Sequence, residues 1–202
     1  MSKGTVLIVS GPSGSGKDTI LKEVFKALPD IKFSISSITR AMREGEVEGE
    51  KYNFISRESF LDLIKNDMLL EYNMYLENYY GTPRKPVDEV LANGGEMIIE
   101  VDVNGAKSIR EKLPEAVSVF IMPPSFEVLK ARLSGRGTES EEIVEKRLKE
   151  AMSEISRASE YDYIVVNDDL SDAVDDLVSI IKSERHKTNK NIHLVNEVLL
   201  KC

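Results

Sequence analysis

The run Thr5-Val-Leu-Ile-Val-Ser10 leads directly into Gly11-Pro12-Ser13-Gly14-Ser15-Gly16-Lys17. From Asp18 to Leu28 the apolar residues Ile20, Leu21, Val24, Phe25 and Leu28 then recur at spacings of three and four until Pro29. A continuous β-branched run is the pattern of a strand buried on both faces, and the periodicity after it is that of a helix. A strand, a glycine-rich turn and a helix in this order restrict the chain to an α/β fold in which the helix crosses back over a parallel sheet. The same arrangement suits phosphate. Glycines let successive backbone N–H groups point inward, the helix N-terminus adds partial positive charge, and Lys17 reaches toward outer phosphates. A glycine-rich strand-to-helix turn without a ligand is the alternative.

The alternation continues. Glu96–Val101 reads as a buried strand, Val117–Ile121 as a strand and Tyr163–Val166 as one more apolar run, with Ala106–Leu113, Phe126–Leu133 and Ser171–Ser183 as helices. Of 202 residues 41% are hydrophobic and 31% charged, which excludes a disordered or fibrous chain. Apolar runs of a few residues are far short of the ~20 needed to span a bilayer, so no membrane partner is expected. A net charge of −8 argues against nucleic acid, which needs a basic face, so phosphate must be met locally. The start, Met1 to Gly4, has none of the regions of a signal peptide, and a cytoplasmic location is expected. With Cys202 the single cysteine, no intrachain disulfide can form.

Two stretches break the alternation and read as insertions, Ser34 to about Gly81 and about Phe126 to Ala158. The first carries Arg40 and Arg43 among Glu44, Glu46, Glu48 and Glu50, with Tyr52 and Tyr80 as hydroxyl donors. Paired guanidinium forks suit a dianionic phosphate, and a surface salt-bridge patch is the bland alternative. The second carries Arg132, Arg136 and Arg147, which on a helical segment can cancel charge on a transferring phosphoryl group, or are simply solvated helix charges. Asp18 stands where a phosphate loop usually places the Ser or Thr that holds Mg²⁺. With Thr19 beside it, Asp18 can hold the metal directly or through water, or it merely favours the helix N-terminus.

These elements, with Phe33-Ser-Ile-Ser-Ser-Ile-Thr-Arg40, Asn78-Tyr-Tyr-Gly-Thr-Pro83, Val101-Asp-Val-Asn-Gly-Ala106, Arg132-Leu-Ser-Gly-Arg-Gly-Thr138 and Val166-Asn-Asp-Asp169, resemble the guanylate kinase family from about Thr5 to Ile181. The resemblance implies a P-loop NTPase-type parallel sheet flanked by helices, with a core of residues 1–33, 82–125 and 159–185. A small GMP-binding insertion at 34–81 and a helical lid at 126–158 complete it, and a tail at 186–202 lies outside the resemblance. It implies phosphoryl transfer from ATP to GMP, and to dGMP, within purine metabolism, with Mg²⁺ and as a monomer or homodimer. Carried over residue by residue, Ser36, Glu71 and Thr82 read guanine beside Asp102, and Arg40, Arg43, Tyr52 and Tyr80 hold the GMP phosphate. Gly11 to Lys17, Asp18, Thr19, Asn167 and Asp168 serve ATP. Lys17, Arg40, Arg132, Arg136 and Arg147 are the catalytic set, and Asp18 and Thr19 the metal residues. The chain departs from the family pattern at Asp18, at Met42 for proline, at Ile38 for threonine and at Glu100 for aspartate. Two other readings stay open: a binding module that holds an anionic ligand or phosphopeptide at Arg40 and Arg43, and a kinase for another base.

Overall fold

The computed structural model describes residues 4–135 and 141–200. In chain order the elements are β1 (Thr5–Ser10), α1 (Lys17–Ala27), β2 (Lys32–Phe33), β3 (Ser36–Ile38), β4 (Tyr52–Phe54), α2 (Arg57–Lys65), β5 (Leu69–Tyr75), β6 (Asn78–Pro83) and α3 (Arg84–Ala92). They continue with β7 (Glu96–Glu100), α4 (Val103–Lys112), β8 (Val117–Met122), α5 (Phe126–Ser134), α6 (Glu141–Ile155), β9 (Tyr163–Val166), α7 (Leu170–Arg185) and α8 (Thr188–Leu199).

Five strands form a parallel sheet in the order β2-β7-β1-β8-β9. β1 is central and every one of its residues is buried, which accounts for its uninterrupted apolar run. Because alternate side chains point to opposite faces, Leu7 and Val9 pack with Ile20 and Val24 of α1 and Leu177 and Ile181 of α7. Val6 and Ile8 pack with Val87 and Val90 of α3 and Ile109 of α4. The centre of the sheet is thus covered on both faces, and α1 leads back from the carboxyl end of β1, where crevices for ligands form in such sheets.

The expected insertions are built as follows. The first is a four-stranded sheet, β4-β3-β6-β5, backed by α2, whose Phe60 is fully buried and stacked on Tyr79 at 5.2 Å. This sheet runs to Pro83, two residues past the expected boundary at 81. The second is the pair α5 and α6, which closes a small core of Leu129, Leu133, Leu148 and Ala151. α2 and α3 are additions to the sequence reading. The tail forms the short helix its spacing suggests. α8 buries no whole residue, but Lys190 reaches inward, donating to Thr5 Oγ1 at 2.8 Å and pairing at 3.5 Å with the buried Glu184.

Candidate active site

The phosphate-loop sequence takes up the conformation its glycines permit. Gly14 and Gly16 have φ of 87° and 89°, where a side chain is strained, and a Cβ on Gly16 would collide with the Asn167 amide. That amide is what fixes the loop: buried Asn167 donates from Nδ2 to the Ser15 carbonyl at 2.7 Å. Gly14 sits beneath Leu129 and Leu133, so the loop also carries α5. Lys17 Nζ folds back to the Gly11 and Pro12 carbonyls at 2.6 and 3.3 Å. Burial pulls its pKa down, and the charges of Glu100, Glu154 and Asp18 oppose that pull.

A cavity of about 640 Å³ opens over the loop. It is lined by Gly11 to Gly14, Gly16, Lys17, Asp18 and Thr19, with Ser36, Lys51, Tyr52, Glu100, Asp102, Arg132 and Glu154 around the rim. Arg132 donates from Nη2 to the Asn167 carbonyl at 3.0 Å. Its Nη1 is buried and has no hydrogen-bond partner among the described residues. Buried guanidinium donors are rarely left unmatched, so this nitrogen marks a place for an anion. Arg147 reaches the loop from α6, donating to Ser13 Oγ at 2.6 Å. Ser15, within the loop, is fully buried, and Asp168 is exposed after β9; neither lines this cavity or the next. Arg136 lies outside the described residues.

The adjoining cavity, about 420 Å³, brings together Ser36, Arg40, Arg43, Tyr52, Glu71, Tyr80 and Asp102 from positions 66 residues apart in the chain. Thr82 is fully buried behind it and donates to Glu71 Oε1 at 2.7 Å. Burial pushes the Glu71 carboxyl up to about 7, with the charge of Asp102 adding to the rise and the Thr82 hydroxyl opposing it. Asp102 caps α4, accepting from the Asn104 and Gly105 amides at 2.9 and 2.8 Å, and its second oxygen accepts from Asn73 at 2.9 Å. Arg40 makes a two-pronged pair with Glu46 at 2.6 and 2.7 Å and lies over the Tyr52 ring at 5.4 Å. The Arg40 side chain and the Arg43 amide hold the Glu46 carboxyl down to about 2.

Asp18 is engaged by Lys51, whose Nζ donates to Oδ1 at 2.6 Å and lies 3.1 Å from Glu100 Oε2. No group of three metal-ligating side chains occurs among the described residues. Mg²⁺ that arrives with a polyphosphate needs only one or two protein oxygens, and two carboxylates already converge on one cation here, so the donor set fits such an ion. Lys51 and Glu154 are site residues that the sequence reading missed. Glu154 follows Arg147 by seven positions, two helical turns, a spacing that puts both on one side of α6.

The guanylate kinase family model matches residues 3–184. A guanylate kinase of Carboxydothermus hydrogenoformans is 47% identical over 190 residues, covering 94% of this chain and 93% of that protein. One of Oceanobacillus iheyensis is 49% identical, covering 93% and 91%. The crystal structure of guanylate kinase from Anaplasma phagocytophilum superposes with a TM-score of 0.76 at 36% identity, covering 94% of this chain and 90% of that one. The loop, the two adjoining cavities and these relatives agree: the chain belongs to the guanylate kinase family.

Proposed function

We propose that this protein transfers the terminal phosphoryl group of ATP to GMP, and to dGMP, giving ADP and GDP. The observation that carries the reading is the buried, unmatched Arg132 Nη1 in the cavity over the phosphate loop, next to a second cavity holding Glu71 and the Arg40/Arg43 pair. The loop amides, Gly11 to Gly16, hold the ATP phosphates with Lys17, while Asn167 and Asp168 lie toward the adenine. Arg40, Arg43, Tyr52 and Tyr80 hold the acceptor phosphate. Glu71 accepts from the N1–H and 2-amino groups of guanine, a donor pair that adenine lacks, with Ser36, Thr82 and Asp102 around the base.

The acceptor oxygen is already anionic, so no general base is required. Positioning and charge neutralisation by Lys17, Arg132, Arg136 and Arg147 are the main sources of rate. Asp18 and Thr19 are the residues to hold Mg²⁺, which supplies neutralisation of the polyphosphate when bound. The insertion at 34–81 serves as the GMP-binding subdomain and 126–158 as the lid. No described helix is long and apolar enough to cross a membrane. A cytoplasmic location, a monomeric or homodimeric state and a place in purine metabolism belong to the same proposal. A binding module without ATP use has no need of the Lys17 loop or the Arg132 site.

The test is ADP release in the presence of ATP and Mg²⁺, with GMP, dGMP, AMP, CMP and UMP offered separately. Turnover with GMP alone among the ribonucleotides is expected. Binding of GMP without turnover of any acceptor would establish the binding module instead.

A further inference from the structure

Two of the four departures of this chain from its family's pattern, Asp18 and Glu100, meet on one ammonium. Lys51 Nζ is 2.6 Å from the first and 3.1 Å from the second. Asp18 belongs to the phosphate loop's helix and Glu100 ends a strand of the main sheet, but Lys51 belongs to the insertion, just before β4. Its backbone carbonyl accepts from the Ser36 amide at 3.3 Å. All three side chains line the cavity over the loop. An unpaired carboxylate at the first turn of α1 would repel the polyphosphate that the loop is built to hold. Glu100 is differently placed, because it faces Lys17 as well, being the strongest opposing charge on that ammonium.

We propose that Lys51 is a positioning residue for the ATP site: it supplies, from the insertion, the counter-charge that makes Asp18 compatible with a bound polyphosphate. This rests on the kinase reading above and goes beyond it. Lys51 is 44% and Asp18 76% exposed, so solvent moderates the effect of the pair to the range of surface ion pairs. A change of about fivefold in ATP affinity is the expected size.

The experiment is equilibrium binding of ATP, without GMP, by displacement of a fluorescent ATP analogue, measured in EDTA and again with Mg²⁺. It compares wild type, Lys51→Met, Lys51→Arg, Asp18→Ser and the double variant Lys51→Met/Asp18→Ser, each checked for folding by thermal melting. Lys51→Met is expected to weaken ATP about fivefold in EDTA and less with Mg²⁺, and Lys51→Arg to retain affinity. The double variant is expected to return to within twofold of wild type, because the charge that needed cancelling is gone. Equal loss in Lys51→Met and in the double variant would assign Lys51 a direct phosphate contact and overturn the proposal, as would no loss at all. Failure of wild type itself to bind ATP would instead remove the kinase reading, which the binding assay detects separately.

Discussion

On the proposed assignment, Glu71 is expected to make base recognition depend on pH in a direction that can be worked out. Its carboxyl, pushed by burial from the usual 4.5 to about 7, is a poor acceptor when protonated. Only the ionised form accepts from two N–H donors of guanine at once. With a pKa of about 7, roughly one tenth of the free protein is ionised at this position at pH 6 and roughly nine tenths at pH 8. Affinity for the base is therefore expected to rise about tenfold over that interval and then level off. Guanosine is the ligand to use, since it lacks the phosphate whose own titration would distort the profile, and calorimetry gives its affinity directly. Glu71→Gln carries no titrating group, so its profile is expected to be flat and its affinity at pH 8 about tenfold weaker than wild type. Stability gives a second reading. The folded-state pKa lies above the unfolded one, so the folded chain binds more protons between pH 4.5 and 7, and stability is lost as pH rises through that window, by at most about 3 kcal/mol. Glu71→Gln is thus expected to match wild type near pH 4.5 in urea unfolding and to exceed it at pH 8. A pH-independent guanosine affinity in wild type, or the same slope in Glu71→Gln, would refute the assignment.

Three further outcomes are expected. Lys17→Ala should lower kcat at least a thousandfold in the coupled assay while the melting temperature stays near wild type; comparable turnover would show that the loop is not the ATP site. Asn167→Ala leaves the buried Ser15 carbonyl without its 2.7 Å donor and should destabilise the protein by about 1–3 kcal/mol in urea unfolding, while raising the ATP KM; a change in neither would show that the loop holds its shape unaided. In the β5–β6 hairpin Leu76 and Glu77 have φ of 46° and 65°, so Glu77→Gly should stabilise by about 1 kcal/mol without changing GMP turnover, and destabilisation there would show that the Glu77 side chain outweighs the strain.

The parts of the fold that were legible in the sequence are those with long apolar patterns, whether buried on both sides as in β1 or, as in β9, half exposed at the edge of the sheet, where Ile164 and Val166 face solvent. β1, β7, β8 and β9 and the helices α1 and α7 carry unbroken runs or broad apolar faces, and the structure differs from the reading only by a few terminal residues. α2 escaped because it fully buries Phe60 alone, and α3 because Pro86 interrupts a stripe that amounts to Val87, Val90 and part of Leu91. In the second sheet β3 and β4 have only three residues each and β5 turns exposed after Glu71, so alternation is weak there. Site residues joined to a local motif could be found from the chain. Lys51 could not, because its partners lie 33 and 49 residues away and nothing local distinguishes it from its charged neighbours.

The two cavities hold their cations differently, and on the proposed reading this bears on how each takes up its phosphate. On the loop side Lys17 is held by carbonyls and Arg132 by the Asn167 carbonyl, neutral partners that leave both charges unspent, although Asp18, Glu100 and Glu154 line the same cavity. On the acceptor side Arg40 is charge-paired with Glu46, whose carboxyl stays ionised down to about pH 2, so no physiological acidity releases the guanidinium. Of its five N–H donors, two meet Glu46 and one meets the Ala41 carbonyl, which leaves two for Tyr80 and an incoming phosphate. Glu46 also accepts from the Arg43 amide at 2.8 Å, so one carboxylate ties the Arg40 side chain to the backbone at Arg43. On the proposed reading the acceptor phosphate meets an arginine that Glu46 has already oriented, and the net −8 of the chain is compatible with two anionic ligands because Lys17, Lys51 and Arg132 line one cavity and Arg40 and Arg43 the other.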